Sequence, residues 1–144
     1  MTKIDFYQIE SDEPALQFTC RLIDKIFHLG HKIHIHTENV EQSQELDSLL
    51  WAFREDRFIP HAHCANEAEY ADDGLAVKIS HQAEPGHQDI LVNLSGVVPD
   101  FFSRFSRVAE VVPLDDTKRD AARINYKFYK DRGYPLAYHA MKSK

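Results

Sequence analysis

Residues 4–37 read IDFYQIESDEPALQFTCRLIDKIFHLGHKIHIHT, and the change of period within this stretch decides the fold class. Ile4–Ile9 is an extended apolar run, the signature of a strand. Glu13 and Pro14 then open a helix with proline close to its first turn, where a missing N–H costs nothing. Along it Leu16, Cys20, Ile23 and Phe27 recur at helical spacing on one side, and Gly30 stops it. Lys32–Thr37 returns to the two-residue period of a strand. Strand, helix and strand within about 35 residues form the crossover unit of an α/β sheet.

The same alternation continues outward. Asn39 followed by Gln42 resembles a capping box, which predicts a helix ending near Phe53. Strands are expected at Leu75–Ser80, Asp89–Ser95 and Arg107–Pro113, a short helix at Pro99–Phe105, and a terminal helix beyond Asp115. Arg54–Gly74 reads mostly as loop. At 144 residues, with 43% apolar and 28% charged residues, the composition is that of one globular domain spanning 1–144, not of a disordered chain. No apolar run approaches the ~20 residues of a membrane span, and MTKIDFYQIE lacks the apolar core of a secretion signal. A cytosolic protein is therefore expected, with Cys20 and Cys64 as reduced thiols.

Charge is unevenly distributed. Residues 115–144 carry eight basic and four acidic side chains, +4, against −6 for the whole chain, which leaves −10 for residues 1–114. At ~100° per residue, Arg119, Arg123, Tyr126 and Lys130 fall within roughly 60° of one another, with Ala121, Ile124, Phe128 and Tyr129 on the other side. The expectation is that the second group packs inward and the first faces out. A basic, aromatic stripe on an acidic protein suits an acidic, partly apolar peptide better than a nucleic acid backbone, which the −10 remainder repels. No strong direct nucleic acid binding is expected. Trp51, the only tryptophan, lies more than a quarter turn from the apolar face formed by Leu46, Leu49, Leu50 and Phe53. It is expected to meet solvent or a partner, with Phe58, Ile59 and Pro60 just beyond.

Catalytic chemistry leaves little trace. Gly30, Gly74, Gly86, Gly96 and Gly133 are all isolated, so the glycine-rich loops that let backbone N–H groups approach a phosphate are absent. A small metal-dependent or nucleotide-handling enzyme on the same fold is the rival reading. It rests on the nine histidines, chiefly His34 and His36 on one strand face, with His61, His63 and Cys64 as further zinc donors. Their spacing matches no zinc signature, so neither metal nor cofactor is expected.

The order of these features resembles the chi subunit of bacterial DNA polymerase III over nearly the whole length. The resemblance is carried by Phe6-Tyr7, Leu50-Trp51 with Phe58-Ile59-Pro60-His61, Gln88–Leu94, and Val111-Val112-Pro113 with its acidic pair, and then by Lys118–Tyr129 and Gly133-Tyr134. It implies a mixed, mostly parallel sheet with helices on both faces, like a nucleotide-binding domain without a phosphate loop. It also implies a non-catalytic connector within the clamp loader. One surface would bind the acidic C-terminal tail of the single-stranded DNA-binding protein through Val112, Arg119, Arg123 and Tyr126, with Lys118 close by. Another, through Trp51 and Phe58, would bind the psi subunit and receive a helicase partner. The acidic loop Ala65–Leu75 departs from the pattern of the family.

Overall fold

The computed structural model describes residues 2–11, 13–52, 61–63 (backbone), 77–80 and 89–141. Among the described residues seven strands form one sheet: β1 (Lys3–Ile9), β2 (Ile33–His36), β3 (His61–His63), β4 (Val77–Ser80), β5 (Ile90–Asn93), β6 (Arg107–Val112) and β7 (Leu136–Met141). Their spatial order is β3-β4-β2-β5-β6-β1-β7. Every ladder among the described residues is parallel. Parallel neighbours require crossovers. Helices α1 (Ala15–His28) and α2 (Val40–Ala52) follow β1 and β2, and α3 (Asp116–Asp131) joins β6 to β7.

Strands covered on both faces bury every second residue against one layer and the intervening ones against the other. Ile90 and Val92 of β5, with Ala109 and Val111 of β6, meet Phe18, Ile23, Leu46 and Leu50 of α1 and α2. The intervening Leu91, Val108 and Val112, with Ile4 and Phe6, meet Phe102, Phe105 and Tyr129 on the opposite side. The α/β reading with helices on both faces therefore holds.

Local signals explain the helix ends. Asn39 Oδ1 accepts from the backbone N–H of Gln42 at 2.8 Å, while Gln42 Oε1 accepts from that of Glu38 at 2.7 Å, a near-reciprocal cap. Gly30, at φ 91°, adopts the left-handed conformation that ends α1. The expected short helix around 99–105 is a single 3-10 turn, Phe102–Arg104. Two strands correct the sequence reading. Backbone at His61–His63 forms β3 inside the stretch expected to be mostly loop. Residues 136–141 form β7, where no strand was expected. No helix among the described residues is long and apolar enough to cross a membrane.

Candidate functional site: the face of the last helix

Helix α3 starts where Asp115 Oδ1 accepts from the backbone N–H of Lys118 at 2.9 Å. Two polar bonds and one aromatic cluster fix its rotation. Asn125 Nδ2 donates to the Gly96 carbonyl at 3.0 Å, and the Tyr129 hydroxyl donates to Glu110 Oε2 at 2.6 Å. The Tyr129 ring sits edge-on to Phe6, Phe102 and Tyr134. The buried stripe is thus Asn125 and Tyr129 with Ala122 packed beside them. Ile124, expected to pack inward, is instead 71% exposed. At ~100° per residue it lies about 140° from Tyr129, too far round to reach the sheet.

The five residues expected to bind the tail divide into two groups. Val112, at the end of β6, and Lys118, in the first turns of α3, line one small cleft of about 40 Å³ together with Leu94, Gly96, Glu110 and Asn125. Val112 itself is buried, and Lys118 Nζ pairs with Glu38 Oε2 at 3.0 Å. The others run along the helix flank. Arg119 does not simply face out: Nη2 donates to the Ile9 carbonyl at 3.1 Å and lies 3.4 Å from Glu10 Oε2, tying α3 to the end of β1. Its buried Nε–H has no hydrogen-bond partner among the described residues. Arg123 is the open cation, 78% exposed, with Nη1 2.8 Å from Oδ1 of the similarly exposed Asp120. Tyr126 rests its ring 5.3 Å from that of Phe6 and leaves the rest to solvent.

Trp51 lies in the last turn of α2 and is 62% exposed, while Leu46 and Leu50 of the same helix are buried. Phe58 lies outside the described residues, as do Phe53 and Cys64.

Comparison with known proteins now bears on this geometry. The family model described as DNA polymerase III chi subunit, HolC, matches residues 1–137. The chain belongs to the DNA polymerase III chi subunit family. The chi subunit of Pseudomonas aeruginosa is 40% identical over 144 residues, covering 98% of each chain. That of Haemophilus influenzae is 29% identical over 84% of this chain and 83% of its own. The Escherichia coli protein is 27% identical over 94% and 96%. Membership of this family makes the chain an accessory component of a replicative polymerase.

The surroundings of His34 and His36 are those of a packed layer. His34 is fully buried, its ring centroid 6.4 Å from that of His36, and both rings stand edge-on to Phe101. Among the described residues no group of three or more His, Cys, Asp or Glu side chains could hold a metal ion. The side chains of His61 and His63 lie outside them. The second thiol candidate, Cys20, is a buried free cysteine whose burial pushes its pKa up to about 12.

Glu110 is the residue that reading the sequence for chemistry missed. It is 4% exposed in β6, directly beneath α3. Besides the Tyr129 hydroxyl it accepts Asn93 Nδ2 at 3.0 Å on both carboxylate oxygens. Burial pushes its pKa up to about 7, against the pull of those two hydrogen bonds, which favour the ionised form. The Tyr129 hydroxyl is held well above the ordinary phenol range, first by burial and then by the Glu110 charge. The signal was present in RVAEVV: period two places Glu110 on the same buried face as Val108 and Val112.

Proposed function

We propose that this chi-family chain is a non-catalytic connector of the DNA polymerase III clamp loader. It acts as a single cytosolic domain spanning 1–144 and needs no cofactor. In this reading the α3 face, with Val112, Lys118, Arg119, Arg123 and Tyr126, receives the acidic C-terminal tail of the single-stranded DNA-binding protein. Trp51 and Phe58 hold the psi subunit, on a surface that also admits a helicase.

The observation that supports the tail site is the state of Arg123. Among the described residues its guanidinium is engaged only in an exposed i,i+3 pair with Asp120. Such pairs contribute about 0.2–1 kcal/mol, whereas a hydrogen bond to a charged group in a less exposed complex contributes about 1.5–3 kcal/mol. An incoming carboxylate therefore gains by displacing Asp120. Arg119, held against β1, supplies fixed positive charge beside it. The cleft over Val112, at about 40 Å³, is far smaller than the ~150 Å³ cavity that takes a benzene ring. An aromatic residue of the tail accordingly rests on the exposed part of Tyr126, with Val112 buried beneath the face, and does not plug into the helix-sheet junction.

The test is a titration of an acidic tail peptide against wild type and Arg123→Ala at low and high salt. A loss of about tenfold or more, corresponding to ~1.4 kcal/mol, is expected for the variant, with weaker binding at high salt. Equal affinities for the two proteins would remove the assignment.

A further inference from the structure

Glu110 contributes to the lining of the cleft that holds Val112 and Lys118. It brings a carboxyl group to the face that the reading above gives to an acidic peptide. Among the described residues no cationic side chain bonds to it. From β5 it meets the amide of Asn93, and Phe6 stands beside it in the β1 register. From α3 it meets the hydroxyl of Tyr129, while Asn125 lines the cleft and turns its amide to Gly96. Lys118, the cation of the same cleft, spends its charge on Glu38, and the carboxylate of Asp115 caps the helix. His36 stands one strand further away, in register with Asn93.

We infer that Glu110 is a specificity-determining residue of this face: ionised, its carboxylate opposes an acidic peptide lying over Val112 and Lys118, and protonated, it admits one. The inference rests on the reading of α3 as an acidic-peptide face. The contrast between the two states is large because the carboxylate is sheltered from water and screened less than a surface charge. The group is poised to change state near neutrality, since burial has carried its pKa up to about 7. A peptide carboxylate titrates well below this range and stays charged throughout. The resulting device makes tail affinity fall as the pH rises, the reverse of what Arg119 and Arg123, charged at every relevant pH, would give alone.

Isothermal calorimetry of the full chain tests this, with a synthetic peptide of three aspartates ending in a C-terminal phenylalanine. Between pH 6 and pH 8 the wild-type Kd is expected to rise about three- to tenfold. Glu110→Gln, which keeps an acceptor for Tyr129, should hold the pH 6 affinity across the range. Imidazoles also titrate in this interval, and His36 is unchanged in the variant, so the difference between the two profiles isolates Glu110. Tyr129→Phe provides a second reading. Without the hydroxyl that favours the ionised form, the loss of affinity should shift to higher pH. Parallel pH profiles for wild type and Glu110→Gln overturn the role of Glu110 while leaving the peptide face standing. No binding by wild type at any pH overturns both.

Discussion

The Tyr129 hydroxyl donates a 2.6 Å hydrogen bond to Glu110 Oε2, joining the last helix to the middle of the sheet in a fully buried layer. Among the described residues it is the deepest side-chain bond from α3 to the sheet that ends on a carboxylate. Tyr129→Phe keeps the ring that packs on Phe6, Phe102 and Tyr134 and deletes only the donor. Hydrogen bonds to charged groups contribute about 1.5–3 kcal/mol, so a loss of about 2 kcal/mol is expected in urea unfolding at pH 8, with the slope unchanged. Wild-type stability in the variant would mean that the hydroxyl contributes nothing net.

Glu110 also makes stability depend on pH, with a definite sign. Its folded-state pKa of about 7 lies above the ordinary value of 4.5, so the folded chain holds this proton more tightly than the unfolded one. Its contribution is complete below about pH 4.5 and is lost as the pH rises through about 7. The size of the shift corresponds to about 3–4 kcal/mol in all. The unfolding free energy of Glu110→Gln relative to wild type should therefore move by about 2 kcal/mol in favour of the variant between pH 5 and pH 8. A constant difference across that interval would show that the carboxyl does not change state there.

Trp51 offers a separate test of the psi surface. At 62% exposed it contributes little to the core, so Trp51→Ala should change the unfolding free energy by no more than about 0.5 kcal/mol. As an interface anchor it should cost about 2 kcal/mol or more in psi affinity, while Arg123→Ala leaves that affinity unchanged. Both can be read in one series of titrations with purified psi. Loss of thermal stability in Trp51→Ala, with psi binding intact, would make the indole a packing group.

Where the sequence carried a strong period, the structure follows it. The run around Ile33–His36 and the helix closed by Gly30 are where they were read, and Asn39 and Gln42 cap α2 as their spacing implied. Illegible elements had weak or competing signals. Strand β7 follows Gly133 and Pro135, and its LAYHAM stretch is an edge strand of half-buried and exposed residues. Such a strand owes its existence to pairing with β1, which no local pattern reveals. The three residues of β3 likewise depend on β4.

For the candidate site, the exposure of Arg123 and Trp51 was legible because each stands well off its helix's buried stripe. Ile124 was not. Hydrophobicity favoured turning it inward, but Asn125 and Tyr129 set the helix rotation through bonds to Gly96 and Glu110, residues distant in sequence. Arg119 was misread for a similar reason: its acceptors lie at the end of β1, 110 residues away in the chain.

The position of β1 between β6 and β7 also governs how the molecule can be made. Ribosomes deliver about 5–20 residues per second, and about 100 residues separate β1 from its partner β6, with β7 later still. For about 5–20 s, therefore, the first strand of the sheet emerges with Ile4 and Phe6 uncovered and both of its native neighbours unsynthesised. Strands β2, β4 and β5 can assemble beneath α1 and α2 in the meantime. Until β6 and β7 have been translated, β1 keeps two unpaired edges and an uncovered apolar face, a state in which strand edges invite pairing with other chains.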